Sequence, residues 1–155
     1  MKPRKLPVRL FQLWLAARLG VWLCVLPVLL RLHTLPVLLH RLTPVRGQRK
    51  SKSPLELNQA VRVVVRLCQL PLFRWRVFPR ACLRQALTLY RVLIRMGYPV
   101  AIHFGVQKDE QVLHGHSWVT IGGKPVAERT RTEIFTIVYS YPSASFRSPY
   151  ETKKY

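Results

Sequence analysis

The chain has 155 residues, 49% of them apolar, and its 26 Lys and Arg residues outnumber 6 Asp and Glu residues for a net charge of +20. This length excludes two large domains, and the slightly positive mean hydropathy argues against disorder, because a charged chain stays unfolded only when its hydrophobicity is low. We therefore expect one folded domain with a basic surface, suited to a polyanion, an acidic peptide or a membrane surface.

An apolar segment dominates the start of the chain. Residues 10–30 are apolar except for Gln12 and Arg18, a run long enough to cross a bilayer as a helix. Arg18 opposes insertion, and no small-x-small cleavage site closes the run as in a signal peptide. We favour an amphipathic helical hairpin, punctuated by Pro27 and Pro36, that packs on the rest of the protein. A membrane-associated helix and a secretion signal are the alternatives.

An exposed linker and a helix follow. Residues 44–53 have the Pro, Gly, Ser and Lys composition of a linker. Ser53 with Glu56 three residues later forms a capping box, and Pro54 suits the first position of a helix. Apolar residues then recur at helical spacing as far as Cys68, which predicts an amphipathic helix that begins just after Ser53.

A second apolar run begins at Cys82 and ends at Met96, with Gly97 as a C-cap signal. Because this run is apolar on most sides, it predicts a central helix. The hydrophobic period then changes to that of strands, and the Gly122-Gly123 pair suits a tight hairpin turn. The predicted strands are residues 100–106, 116–121, 124–127 and 134–139.

Helices followed by strands predict an α+β domain. We divide the chain into a basic, Leu-rich helical lead-in with its linker (1–53), a core (54–140) and a C-terminal tail (141–155). The lead-in is uniformly basic, because the first acid in the chain is Glu56.

Cys82 is the candidate nucleophile, because the unpaired N–H groups and the macrodipole at a helix start favour thiolate over thiol. The alternative is that it is one more buried cysteine. A nucleophilic cysteine needs a base, and the base needs a third group to orient it. His116 begins a predicted strand, and the glycine hairpin returns the chain to Glu128 beside it. Among the later acids, Glu133 and Glu151 lie farther from that hairpin.

The other histidines leave room for a metal site. His114 and His116 share a strand face, and with Cys82 they could bind zinc. His103 is a further candidate for comparison. Because no fourth ligand has a suitable spacing, we expect neither a metal nor a cofactor.

Cys24, Cys68 and Cys82 cannot all pair within the chain, and their spacings match no CxxC pattern. A reduced, cytoplasmic setting is therefore expected. Cys24 and Cys68 lie in apolar helical segments, where a cysteine is usually a small buried hydrophobe.

The run LPLFRWRVFPRACLRQALTLYRVLIRMGYPVAIHFGV, followed by HGHSWVTIGGKPVAE, resembles the stand-alone leader protease of lasso-peptide biosynthesis, within the transglutaminase-like and papain-like superfamily. The resemblance covers about residues 55–128 and rests on four pieces together. These are Cys-Leu-x-x-x-Leu on a helix, Arg-x-Gly after it, a Gly-Val strand end, and His-small-Trp-Val before a Gly turn. The first 55 residues are similar to the family's lead-in in composition alone.

The resemblance implies a papain-like core in which a central helix carries Cys82 as nucleophile. A small antiparallel sheet would carry His116 as general base and acid and Glu128 as its orienting acid, a position where the family usually has Asp. The implied reaction is removal of the leader from a lasso-peptide precursor at the leader–core junction, in a bacterial cytoplasm. A separate leader-recognition protein would present the precursor, and a macrolactam cyclase would act on the released core.

Two functions of other kinds stay open. Charge alone permits a non-enzymatic protein that binds nucleic acid or an anionic membrane. Specific nucleic-acid binding is disfavoured, because the basic residues interleave with aliphatic runs and no docking motif is present. A transglutaminase-like acyl transferase would use the same three residues but pass the acyl group to an amine.

Overall fold

The computed structural model describes residues 8–43, 56–71, 80–109 and 112–142. These residues form the helices α1 (Val8–Leu32), α2 (Leu35–Leu42), α3 (Leu57–Cys68) and α4 (Ala81–Arg95) and the strands β1 (Val100–Asp109), β2 (Val112–Ile121), β3 (Lys124–Pro125) and β4 (Thr136–Tyr141). The order of elements confirms the α+β class. The predicted linker and nearly all of the predicted tail lie outside the described residues, so the domain boundaries stay predictions.

α1 and α2 form a helical hairpin whose inner side belongs to the hydrophobic core. Leu23 and Leu26 of α1 and Leu39 of α2 are fully buried, and α1 contacts both α3 and α4. Pro27 lies inside α1, so the expected break there is wrong; the packing of Leu23 and Leu26 stabilises the helix around the proline. Residues Gln12–Leu32 are long and apolar enough to span a membrane, which by itself is weak evidence for a span or a signal sequence.

α3 begins later than the capping box predicts. Glu56 is not in the first turn but in the N-cap position, with an extended backbone and no side-chain cap, and Ser53 lies outside the described residues. The helix starts where its apolar face starts, because Leu57 is its first residue to pack on the core and Ala60 and Val64 are fully buried below it.

α4 is the central helix, in contact with α1, α3, β1 and β2. It ends as predicted at a glycine in the left-handed region: Gly97 has φ of 88°. The N–H of Tyr98 donates to Leu93 O at 3.1 Å and that of Gly97 to Ile94 O at 3.2 Å. These two bonds form a Schellman motif that satisfies the last carbonyls of the helix.

The four strands form an antiparallel sheet in the order β3-β2-β1-β4. Gly122 and Gly123, both at positive φ, form the predicted turn between β2 and β3. β2 starts at Val112, four residues before the predicted start, and pairs with an equally extended β1. Because Val112 to Gly115 are exposed, backbone hydrogen bonds to β1 hold this part of β2 in place. The sequence there shows no alternation of buried and exposed residues that would predict a strand.

Candidate active site

Cys82 is the second residue of α4, at the helix start where the sequence predicts it. The first intrahelical bond runs from the N–H of Arg84 to Arg80 O at 3.0 Å. The N–H of Cys82 therefore precedes the hydrogen-bonded ladder and has no acceptor within the helix. The thiol is free and partly exposed. A sulfur in this position meets the positive end of the helix macrodipole and has a backbone donor beside it.

His116 lies on β2, directly opposite Gly105 of β1. Its ring stacks on Trp118 at a centroid distance of 5.9 Å and contacts Phe135 at 5.1 Å. The absence of a side chain at Gly105 makes room for both neighbours, because a Cβ there would come within 2.9 Å of the Phe135 Cβ and of the Trp118 ring. The two aromatic rings and one glycine thus determine where the imidazole lies.

Glu128 lies three residues past the end of β3, in the loop rather than on a strand. One carboxylate oxygen, Oε1, accepts hydrogen bonds from the N–H groups of Arg129 and Thr130, each at 2.9 Å. The other, Oε2, lies 3.1 Å from His116 Nε2. The His116–Glu128 contact has the distance of an ion pair without the alignment of a hydrogen bond. Side chains are 15% exposed for the histidine and 12% for the glutamate.

The loop that carries Glu128 is tied to the helix that carries Cys82. Gln85, one turn after the cysteine, donates from Nε2 to Ala127 O at 3.2 Å. Ala127 itself has a positive φ of 55°, an uncommon backbone for a residue with a side chain. On its other side the loop is held to the sheet, because the N–H of Val126 donates to Val119 O at 2.9 Å.

Cys82, His116 and Glu128 line one cavity of about 190 Å³ between α3, α4, β2 and the loop after β3. No direct hydrogen bond joins the thiol to the imidazole among the described residues; such bonds often tighten when substrate binds. Ser117 also contributes to the lining of this cavity; it is 5% exposed, and its hydroxyl has no hydrogen-bond partner among the described residues. The remaining lining combines aliphatic side chains with Gln69, Gln85 and Arg129, so apolar and polar groups share the cavity surface.

The other histidines lie apart from this arrangement. His103 is bonded through Nδ1 to Ser140 Oγ at 2.8 Å and through Nε2 to Thr120 Oγ1 at 2.9 Å. Burial lowers its pKa below the ordinary value. His114 is exposed on β2. Within the described ranges, no three His, Cys, Asp or Glu side chains form a group that could hold a metal ion, so the zinc alternative has no support there.

The two remaining cysteines differ from each other. Cys68 is buried at 3% exposure, as expected, and burial raises the pKa of its thiol despite a side-chain hydrogen bond with Thr88 and the nearby charge of Arg84. Cys24 is exposed on α1, so its predicted burial is wrong. α1 is apolar both on its core side and on its outer side, and sequence alone does not tell which side packs.

Residues 21–140 match the profile of the Transglutaminase-like superfamily. The chain belongs to this superfamily. Its members are typically enzymes, either cysteine peptidases or transglutaminases, so membership supports a papain-like cysteine peptidase or acyltransferase kind of function. The chain matches no curated protein and no solved structure.

Sequence reasoning missed the residues that hold this transglutaminase-like site together. Gln85 and Phe135 carried no chemical signal, and the spare hydroxyl of Ser117 depends on its burial. The HFGV strand and the glycine hairpin were recognisable in the sequence. The strand register was not, and only the register shows that Gly105 makes room for two rings beside His116.

Proposed function

We propose that this protein is a cysteine peptidase that removes the leader peptide from a ribosomally made lasso-peptide precursor. The observation that carries the proposal is the cavity that Cys82, at the start of α4, shares with the His116–Glu128 pair. Superfamily membership supports the reaction type. The leader–core junction as substrate rests on the motifs of residues 55–128 that resemble the lasso leader protease.

In the proposed reaction the Cys82 thiolate attacks the scissile carbonyl, and a C–S bond forms as the carbonyl oxygen takes the negative charge. The N–H of Cys82 supplies one donor to that oxyanion. His116 gives a proton to the departing nitrogen as the C–N bond breaks. The amine released is the new N-terminus of the core peptide, and the leader stays bound as a thioester.

The proposed roles of the two His116 nitrogens follow from the carboxylate. Because Nε2 faces Glu128 Oε2, Nδ1 is the nitrogen left to exchange a proton with the thiol and the substrate. The other carboxylate oxygen of Glu128 accepts hydrogen bonds from two backbone N–H groups. These bonds fix the carboxylate in the position from which it would orient the imidazole ring. The longer side chain of Glu, compared with the usual Asp, is anchored by these two bonds.

Release of the leader distinguishes hydrolysis from acyl transfer. For hydrolysis, His116 takes a proton from water, the resulting hydroxide attacks the thioester, and the Cys82 thiolate leaves. A transglutaminase-like transferase would use the same thioester but accept an amine in place of water. In both reactions the thioester bond breaks and the Cys82 thiolate leaves, and the mass of the leader product distinguishes the two.

The proposal includes two protein partners. A separate recognition protein would bind the leader and bring the junction to the cavity, and an ATP-using cyclase would join the released amine to an acidic side chain of the core. A cytoplasmic setting suits this chemistry, because the nucleophile must remain a free thiol.

The test is incubation of the full chain with a lasso-peptide precursor, with and without its leader-recognition protein, followed by mass measurement. We expect two fragments whose masses together equal the precursor plus one water. Cys82→Ala should bind the precursor and leave it uncut, a loss on the order of 10⁴-fold or more. Cys24→Ala removes an exposed thiol far from the cavity in sequence and should cleave normally.

Normal cleavage by the Cys82→Ala variant would refute the assignment of the nucleophile. If the leader product ends in an amide formed with an added amine, and not in a free carboxylate, the enzyme is an acyl transferase and not a peptidase. Binding to random DNA with a steep salt dependence, together with no thiol-dependent cleavage, would favour a basic binding protein instead.

A further inference from the structure

The outer face of α1 is largely apolar from Leu10 to Leu32. Its exposed large side chains are 42% to 71% accessible and, apart from the adjacent pair Leu13-Trp14 and a gap at the exposed Ala17, recur three or four residues apart, so they form one stripe on the helix. From Leu10 to Leu32 this stripe is about 33 Å long at 1.5 Å per residue. The stripe consists of Leu10, Leu13, Trp14, Val21, Val25, Val28 and Leu32.

The inner face of the same helix is also apolar. Leu19, Leu23 and Leu26 are 3% exposed or less and belong to the core shared with α3 and α4. A helix that is apolar on both sides is normally covered on both sides. Because the inner face is held in the core, α1 cannot cross a bilayer without leaving the fold. It can only lie along a surface.

Basic groups border the stripe. Arg18 on α1 lies over the Trp14 ring at 4.6 Å, and Arg91 on α4 lies over the Trp22 ring at 4.1 Å. Burial, then the positive charges of Arg95 and Arg18, lower the pKa of Arg91 to about 10. Arg91 is therefore repelled by both Arg95 and Arg18, an arrangement that an anion from outside the chain would relieve.

Their own helices supply no counter-charge. Neither α1, α2 nor α4 contains an Asp or Glu residue. Arg31, near the end of the stripe, is exposed as well, and the sequence before α1 adds Lys2, Arg4 and Lys5. The surface that the described residues form around the stripe is thus basic near its C-terminal end and along one side.

An anionic lipid surface fits these features better than a protein does. Protein interfaces carry about one hydrogen bond per 100–200 Å², yet the exposed positions of α1 from Leu10 to Leu32 include no Ser, Thr, Asn, Gln, Asp or Glu residue. Lipid requires no such bonds. A second copy of this chain is disfavoured by the net charge of +20 on each molecule.

We propose that the outer face of α1 binds the surface of an anionic lipid bilayer, with the helix parallel to the membrane plane. The apolar stripe enters the headgroup–acyl boundary and the arginines contact lipid phosphates. Trp14, an amphipathic ring at the edge of the stripe, lies at headgroup depth. This inference is independent of the proposed peptidase reaction and concerns where the protein works.

The test is co-sedimentation of the full chain with phosphatidylcholine vesicles, with and without phosphatidylglycerol. We expect binding to the anionic vesicles, weakened by salt because the phosphate contacts are screened. The double variant Val21→Asp/Val25→Asp should bind at least about tenfold more weakly, since it places two charges in the part of the stripe that enters the lipid. Ile137→Asp/Val138→Asp, an equal change at two exposed residues of β4, should bind like the wild type.

Quenching by brominated lipid gives a second readout. Emission from the bound wild type should be quenched, and the quenching should fall when Trp14 is replaced by Phe. Circular dichroism verifies that each variant is folded. Should the double variant be unfolded, Val28→Asp alone, at a site 53% exposed, takes its place with the same expectation.

Three outcomes would overturn the proposal. The first is that the protein stays in the supernatant with both kinds of vesicle, which would leave the stripe to a protein partner. The second is that the double variant sediments as well as the wild type. The third is that light scattering shows a dimer that the double variant converts to a monomer, in which case the stripe joins two copies of this chain.

Discussion

Two sets of interior polar side chains, Trp22 with Thr88 and Ser117 with His116, differ in how fully their hydrogen bonds are made. Between α1 and α4, Trp22 Nε1 donates to Thr88 Oγ1 at 3.3 Å and that hydroxyl donates to Arg84 O at 2.7 Å. In the cavity beside the nucleophile candidate, Ser117 has an unpaired hydroxyl and His116 faces its carboxylate without an aligned bond. A buried polar group without a protein partner costs stability, so we expect water or a ligand in the cavity to complete it.

This contrast separates residues that stabilise the fold from residues that are available to bind substrate. The helical interior is expected to respond to mutation with a loss of stability and no change in chemistry. The cavity is expected to respond in the opposite way. Substitutions of similar size on the two sides can therefore test the division directly.

Among the substitutions that test this contrast, the largest effect is expected for Glu128→Gln. The change keeps the length of the side chain but removes the charge that orients and supports the His116 ring, so cleavage of the precursor should fall on the order of 10²- to 10⁴-fold. The measurement is kcat/KM with the recognition protein present. Glu133→Gln, an exposed neighbour in the same segment, should cleave like the wild type. Equal cleavage rates for both variants would show that Glu128 has no role in the reaction.

On the other side of the comparison, Thr88→Val should lower the free energy of unfolding by about 1–3 kcal/mol, because Trp22 Nε1 loses its acceptor in a fully buried place. The measurement is urea denaturation. Thr136→Val, the same substitution at an exposed position of β4, is the control and should change stability little. The kcat should not change in either variant. A loss of kcat with Thr88→Val would show that the two regions are coupled.

Features determined by nearby residues were predictable from the sequence. α4 and its glycine cap, the hairpin at Gly122-Gly123 and the helical start at Cys82 each depend on a few neighbouring residues. The meeting of His116 with Glu128 followed from that hairpin, because a tight turn brings the two flanking segments side by side.

Features determined by tertiary packing were not predictable. The bond from Gln85 to Ala127 joins residues 42 positions apart, and neither residue type indicates it. Pro27 reads as a helix break until the packing around it is known. The capping box at Ser53 and Glu56 was a sound local signal, but the helix begins where its side chains reach the core.

A smaller effect is expected for Ser117→Ala. Removing a hydroxyl that has no partner should leave the free energy of unfolding unchanged or raise it by up to about 1 kcal/mol. The KM for the precursor should rise, by up to about tenfold, because the substrate loses a hydrogen bond in the cavity. Ser140→Ala is the matched control: its Oγ is bonded to His103, so it should lower stability and leave KM unchanged. A loss of stability with Ser117→Ala would mean that the hydroxyl is satisfied in solution.

The smallest effect concerns His103, which lies one strand away from His116 and has both ring nitrogens bonded to hydroxyls. Burial lowers the pKa of His103 from its ordinary value of 6.5. In acid the unfolded chain therefore takes up a proton before the folded one does, and stability falls as the pH decreases below 6.5 and through the folded pKa. Melting temperatures from about pH 8 to about pH 5 should drop more steeply for the wild type than for His103→Gln. His114→Gln, at an exposed histidine, should follow the wild type. Parallel curves for the wild type and His103→Gln would mean that this imidazole titrates alike in both states, and that its two hydroxyl contacts do not favour the neutral ring.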